Sequence, residues 1–280
     1  VSEPVVYVDG RFVECSRAAV SIEDRGYQFG DGVYEVARVY DGRPFKMREH
    51  LDRLARSARA IRMDLRGLDS LERDALELLH LNGWGNRDLY IQATRGACPR
   101  SHCFPRDLEP VVVMTAREAH PYPPALRRQG VAAITLSDDR WARCYIKSIS
   151  LLSNVLAKQK ARDEGAFEAI YIRDGFMSEG SSTNVFIVEG DSLVTPPLTN
   201  YILPGITRAT VIGLATGCGI PVAEESVSRE RLLVADEVFL TGTTTEVMPV
   251  VTVDGVRIGC GAPGRTALRL FEQYMRLVTG

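Results

Sequence analysis

Pro121, Pro123 and Pro124 crowd into the segment AHPYPPA (119–125) and interrupt the patterns on both sides of it. Proline offers no N–H to a ladder and clashes inside a helix, so a cluster this dense excludes helix and strand alike. The segment is therefore expected to be a linker between a small N-terminal domain at 1–118 and a larger one at 126–280. A chain of 280 residues, 45% hydrophobic and 25% charged, is long enough to build two cores.

Ahead of the linker, VVYVDGRFVE reads as two short strands turning at Asp9-Gly10, a hairpin signal. GVYEVARVY then turns at Asp41-Gly42 into RPFKM, and its alternation suits a strand buried partly on both faces. From Arg48 the period changes. Leu51, Leu54, Ala58 and Ile61 recur at spacings of three and four, the stripe of an amphipathic helix, and a second helix covers about 68–82 before Asn82-Gly83. DLYIQATRG and VVVMTAR read as strands.

Behind the linker, strands (GVAAITLSD, EAIYIRDG, NVFIVEGDSLVTP, ADEVFLTG) alternate with helices (SLLSNVLAKQKARDEG, GITRATVIGLATGCG, GRTALRLFEQYMRLV). Hairpins mixed with helices indicate α+β domains rather than a doubly wound sheet. The dinucleotide-binding fingerprint and the P-loop pattern are absent.

Net charge is -2 and no long basic block occurs, so nucleic acid and anionic membranes are poor partners on charge. No apolar run approaches the ~18–20 residues that cross a bilayer. The N-terminal stretch VSEPVVYVDGRFVE does not read as a signal peptide. The six cysteines are scattered with no C-x-x-C pair, which disfavours zinc and a disulfide framework and suits the cytoplasm.

Lysine is confined to Lys46, Lys147, Lys158 and Lys160, while arginine is abundant. Lys158 and Lys160 read as solvated helix residues and Lys46 as exposed. Lys147 lies in WARCYIKSISLLSN, between a strand-like run and a helix. Partial desolvation there would free its amine for imine formation, although a snorkelling or capping lysine fits the same context. Glu179 in SEGSSTN suits either an ordinary polar loop or a carboxylate aimed at a ligand. Gly205-Ile206-Thr207 opens a helix whose free N–H groups make an anion site, and the Thr-rich run 241–245 follows a strand; each alone suits a cap or turn, and together they suit a phosphate. The loop TRGACPRSHCFP (94–105) gathers Arg95, Arg100 and His102, a set suited to a carboxylate or to a solvated surface. His50 reads as a helix-surface or packing residue.

Taken in order, EDRGYQFGDGVYEV (23–36), EHLDRL (49–54), TRG…PR.H (94–102), RC.IKS (143–148), LAKQ (156–159), EGSSTNVF (179–186), ILPGITR (202–208) and the Thr-rich run resemble the fold-type IV pyridoxal-phosphate enzymes over nearly the whole chain. Within them the resemblance is to the D-amino-acid aminotransferases. It implies a two-domain α+β fold, with a small N-terminal α/β domain and a larger C-terminal α/β pseudo-barrel domain. It also implies pyridoxal 5'-phosphate as cofactor, with amino acids and 2-oxo acids as substrates.

By that resemblance Lys147 is the Schiff-base lysine and proton shuttle, and Glu179 pairs with the pyridine nitrogen, keeping the ring an electron sink. Arg53 binds the phosphate together with Ile206, Thr207 and Thr243, and Leu203 packs on the ring. Tyr34, Arg100 and His102 form the substrate-carboxylate trap, with Arg100 and His102 supplied by the other subunit of a homodimer. Two positions depart from the pattern. Gly242 stands where the D-amino-acid enzymes often carry Ser and resembles the branched-chain branch, and Ser150 stands where a relative tends to have Asn. The alternatives are an L-branched-chain aminotransferase, which the Arg100/His102 pair opposes, and a 4-amino-4-deoxychorismate lyase.

Overall fold

Asp9 and Gly10 both adopt positive φ, 45° and 86°, and so do Asp41 and Gly42 at 46° and 81°. This is the backbone of the two-residue turn whose twist matches a hairpin, and Asp-Gly adopts it at low cost. The first pair joins β1 (Val5–Val8) to β2 (Arg11–Glu14), and the second joins β3 (Gly32–Tyr40) to β4 (Arg43–Pro44). The structure is a computed structural model describing residues 3–280. It divides into two units, one reaching to His120 and including Ile146–Leu151, the other made of Pro121–Tyr145 and Leu152–Gly280.

In the first unit the hairpins combine with β5 (Arg87–Thr94) and β6 (Val111–Glu118) into an antiparallel sheet of order β2-β1-β6-β5-β3-β4. A five-residue helix, α1 (Arg25–Phe29), precedes β3, and two longer ones, α2 (Met47–Ala60) and α3 (Leu68–Leu81), supply the core. Leu51, Leu54 and Ala58 of α2 are fully buried with Leu78 and Leu79 of α3 against Leu89, Ile91 and Met114 of the sheet. Each such leucine contributes about 1.5–3 kcal/mol by leaving water. The segment 146–151 lies along β3: Tyr34 N donates to Lys147 O at 3.0 Å, Ile149 N to Gly32 O at 3.1 Å, and Val33 bridges Ser148.

Expected RPFKM shortens to the two residues of β4, because Lys46 turns left-handed (φ 55°) at the start of α2. In the proline cluster, α4 (Pro124–Gln129) begins at Pro124, which corrects the expectation that the cluster excludes helix. Proline is accepted at the first helical position, where its missing N–H has no intrahelical acceptor to lose.

The second unit continues with β7 (Val131–Ser137), α5 (Leu152–Asp163), β8 (Glu168–Arg173), β9 (Phe176–Gly180), β10 (Asn184–Glu189) and β11 (Ser192–Thr195). Then follow α6 (Ile206–Gly217), β12 (Val222–Glu224), α7 (Arg229–Val234), β13 (Glu237–Gly242), β14 (Glu246–Val253), β15 (Val256–Arg257) and α8 (Arg265–Thr279). Strand order is β12-β11-β10-β13-β14-β7-β8-β9, with β15 added to β14. β9 ends that order, yet only residues 181–183 separate it from β10, and Gly180 N donates to Thr183 O at 2.7 Å. The sheet therefore curls round on itself, which gives the pseudo-barrel its shape.

β14 has no counterpart in the sequence reading. Its ladder with β7 begins at Val250, so Pro249 lies outside that ladder. No helix among the described residues is long and apolar enough to cross a membrane.

Candidate functional site

β3 places Val33, Glu35, Ala37 and Val39 in one row, all at 0% exposure. A carboxylate in an apolar row must find cations or lose its charge. α2 supplies them. Arg53 donates from Nε to Glu35 Oε1 at 2.6 Å and from Nη2 to Oε2 at 2.8 Å, and His50 Nδ1 lies 2.7 Å from Oε2. Burial pushes the Glu35 carboxyl up, but Arg53 and His50 overcome it and hold the group down to about 2. Burial pushes His50 the other way, below its usual value, with the charges of Arg53 and Lys147 adding to the effect. Neutral His50 facing an ionised carboxylate must therefore carry its proton on Nδ1.

The same helix fixes Lys147. Its N–H donates to Ser57 Oγ at 3.1 Å, while its carbonyl is held by Tyr34 N. The half-buried Nζ stands 4.2 Å from the Tyr34 ring centroid. His50, Arg53 and Ser57 thus line one side of α2, and Tyr34 and Lys147 are brought together. The sequence pointed to Lys147, Tyr34 and Arg53 but missed Glu35 and Ser57, and it took His50 for a surface or packing residue. A lone acid in the apolar alternation of GVYEVARVY was the available signal for Glu35.

Arg100 and His102 are exposed. Their loop is braced by Arg25, which donates to Ser101 O at 2.6 Å and His102 O at 3.2 Å, and by the Phe29 ring, 4.4 Å from the Arg100 guanidinium. Arg25 and Arg95 share Asp31, at 2.9 Å and 2.8 Å. No hydrogen bond, ion pair or ring contact among the described residues joins Arg100 or His102 to Tyr34 or Lys147.

In the second unit Glu179 lies on β9, rather than in a loop, and is buried. Its Oε1 accepts from Arg140 Nη1 at 2.7 Å; its Oε2 accepts from Leu203 N at 2.9 Å and Asn184 Nδ2 at 3.3 Å. Arg140 is held in turn by Asp138, at 2.8 Å and 3.0 Å, and lies over the Tyr171 ring. Burial raises the Glu179 carboxyl above the usual carboxylate range, opposed by Arg140 and the Leu203 N–H. Asp138 and Arg140 escaped the sequence reading; their signal was SDDR, charges at the end of a strand.

Asn184 also donates to Leu203 O at 3.0 Å, and a Cβ on Gly205 would fall 2.0 Å from Asn184 Oδ1. The start of α6 therefore packs directly on Asn184, which pairs with Thr241 of β13. α6 has no side-chain N-cap, so the N–H groups of Ile206 and Thr207 lack an intrahelical acceptor. The buried Thr241 Oγ1 has no hydrogen-bond partner among the described residues. An uncapped helix start beside an orphaned hydroxyl and the half-buried Thr243 fits an anion such as a phosphate.

Each unit thus carries buried charge beside candidate ligand groups: Lys147, Tyr34 and Arg53 in the first, Glu179 and the start of α6 in the second. The chain belongs to the amino-transferase class IV family, whose sequence model matches residues 32–253. It is 48% identical over 264 residues to the D-alanine aminotransferase of Bacillus licheniformis, covering 92% of each chain. Among solved structures, the branched-chain amino acid aminotransferase of Escherichia coli superposes with a TM-score of 0.93 at 31% identity, covering 100% of this chain and 96% of that one. The branched-chain amino acid aminotransferase of Thermobaculum terrenum, solved in its PLP-form, gives 0.86 at 25% identity, covering 99% and 94%.

Two outcomes follow from the buried carboxylates. Glu35 has a lowered folded-state pKa, so its charge stabilises the protein above the unfolded value, ~4.3, and that contribution is lost as pH falls towards about 2. Glu35→Gln leaves Arg53 buried without its counter-charge and should cost about 3–5 kcal/mol in urea unfolding at neutral pH. Its stability should also vary less than that of the wild type between pH 4.5 and 2; an unchanged acid dependence would refute the assignment.

Arg140→Gln removes the cation opposing the burial of Glu179, so Glu179 should become neutral at higher pH. The acid limb of the rate profile should move upward in pH, with neutral-pH kcat/KM reduced about tenfold, equivalent to about 1.4 kcal/mol. A profile superimposable on the wild type would show that Arg140 does not control Glu179.

Proposed function

We propose that this chain is a pyridoxal-phosphate-dependent aminotransferase that takes the amino group from a D-amino acid and passes it to a 2-oxo acid such as 2-oxoglutarate or pyruvate. The observation that carries the reading is Lys147, whose backbone is clamped by Ser57 and Tyr34 while its Nζ makes a ring contact and, among the described residues, no hydrogen bond. Such an amine is positioned without being consumed by an ion pair. The D-amino-acid preference is supported by the likeness to a D-alanine aminotransferase and by the Arg100/His102 loop.

Pyridoxal 5'-phosphate supplies a carbonyl carbon that takes up the amino group and a protonated ring that receives the electron pair left at the donor's Cα. Lys147 Nζ anchors the cofactor in the resting enzyme. Its amine would also carry the proton between the donor's Cα and the cofactor's C4′. Glu179 would accept a hydrogen bond from the protonated ring nitrogen, with Arg140 favouring its charged form. Arg53, with its fork oriented by Glu35, binds phosphate; Ile206, Thr207 and Thr243 do so at the start of α6 and the end of β13. Leu203 packs against the ring. Tyr34, Arg100 and His102 bind the donor's carboxylate.

A homodimer fits the last role, with Arg100 and His102 serving the partner's site. Leu152, Val155 and Leu156 expose an apolar stripe on α5, 58–71% exposed, which suits burial against another copy. The free cysteines suit a cytoplasmic setting.

The test is the visible spectrum of the holoenzyme as D-alanine, then L-leucine, is added without an acceptor. Loss of the resting absorbance with D-alanine alone, restored by 2-oxoglutarate and missing in Lys147→Ala, is the expected result. Bleaching by L-leucine instead would move the chain to the branched-chain branch, which Gly242 and the structural neighbours favour.

Subunit sharing has its own test. Lys147→Ala and Arg100→Ala chains, each defective alone, should regain turnover with an ordinary KM when co-expressed, because one site of the hybrid dimer is then intact. No recovery in purified hybrids would refute the supply of Arg100 in trans.

A further inference from the structure

Thr243, Thr244 and Thr245 connect β13 to β14, and Gly242 pairs with Glu246 across the base of this three-residue turn. Turns of this length place a left-handed residue at their end, a position usually filled by glycine. Here it is Glu246, with φ 58°, and its side chain is buried. A left-handed glutamate persists only where its surroundings hold it.

What holds it is Arg127 of α4, itself buried. Arg127 Nη2 donates to Thr245 O at 3.2 Å and forms a short ion pair with Glu246 Oε2, while Nε donates to Val247 O at 3.3 Å. Nη1 reaches back to Tyr122 O at 3.5 Å, and the Phe271 ring lies 4.4 Å from the guanidinium. Thr245 of the turn and the first two residues of β14, Glu246 and Val247, are thus gripped by one planar fork. Lysine, with a single ammonium, cannot reproduce that pattern. None of these contacts is needed to join β13 to β14, whose ladder continues through Thr241 and Val247.

We propose that Arg127, acting through Glu246, is a positioning residue for the threonine turn, fixing the hydroxyls and N–H groups of 243–245 for the cofactor's phosphate. The proposal rests on the reading of Thr243 as a phosphate ligand given above. Arg127 touches neither cofactor nor substrate; it holds the turn in the conformation the phosphate needs, at the point where α4 begins the second unit. Binding of the phosphate depends on it, whereas recognition of the ring does not.

The experiment compares pyridoxal 5'-phosphate with pyridoxal, which lacks the phosphate, as ligands of the full chain freed of cofactor. Dissociation constants are measured for the wild type, Arg127→Lys, Glu246→Gln and Thr243→Val, with circular dichroism as a check on folding. Arg127→Lys and Glu246→Gln should weaken pyridoxal 5'-phosphate about tenfold and pyridoxal less than about twofold. Equal weakening of both ligands would mean a general structural role and would overturn the proposal, as would no change in either. If Thr243→Val loses the preference for the phosphorylated ligand and Arg127→Lys keeps it, the turn binds phosphate without the clamp, and the proposal is overturned. If Thr243→Val keeps the preference, the phosphate assignment of the turn fails, and the proposal fails with it.

Discussion

An ionised carboxylate at the centre of an apolar row is the constraint on which the first unit is organised. Glu35 shares its face of β3 with Val33, Ala37 and Val39, and water reaches none of them. Its charge survives because α2 brings Arg53 and His50 to it. In return it fixes the Arg53 fork through two hydrogen bonds and sets the tautomer of His50. The packing of α2 on the sheet and the orientation of the Arg53 fork are therefore one arrangement. A long arginine side chain ordinarily loses about 2 kcal/mol of rotamer entropy when it is fixed. Glu35 has already fixed this one, so the ligand need not.

The second unit solves the same problem in series. Asp138 holds Arg140 through two side-chain hydrogen bonds, Arg140 holds Glu179 Oε1, and Leu203 N and Asn184 donate to Oε2. Burial raises the Glu179 pKa and Arg140 opposes it. On the proposed reading, that balance suits a carboxylate that accepts a hydrogen bond from a protonated ring nitrogen. Both units thus use buried charge to aim a functional group, in the manner of supporting shells around preorganised sites.

The periodic elements were legible because their signals are local. Asp-Gly turns with two positive φ angles and the Leu51–Leu54–Ala58 stripe each need only a few neighbouring residues. The proline cluster misled at its end: Pro124 opens a helix because the first helical position tolerates proline. Site residues divided in the same way. Lys147 stood out by the scarcity of lysine and by a motif resemblance. Glu35 and Ser57 act through partners distant in sequence, 90 residues apart for Ser57 and Lys147, and nothing in their own neighbourhoods shows that pairing; Arg140 likewise reaches Glu179 across 39 residues. Glu246 was hidden for a further reason. A left-handed glutamate leaves no trace in the sequence, since the residue type argues against the conformation it adopts.

Gly242 shows how a departure from a family pattern can be judged physically. A Cβ built there meets Ser182 O, Thr183 Cγ2 and Thr245 Cβ at 3.5 Å, ordinary contact distances, and its backbone does not need the left-handed region. Neither crowding nor strain requires glycine, so a serine would fit. Its absence does not leave the turn short of hydroxyls, because the neighbouring Thr241 Oγ1 is buried without a partner among the described residues and Thr243 is half-buried. A buried hydroxyl left unpaired costs about 1–3 kcal/mol, a cost relieved when an anion takes the bond. On the proposed reading, the start of α6 can draw a hydroxyl from Thr241, the preceding residue of β13, whether or not residue 242 carries one. The substitution that makes the turn resemble the branched-chain branch therefore need not change which cofactor it binds.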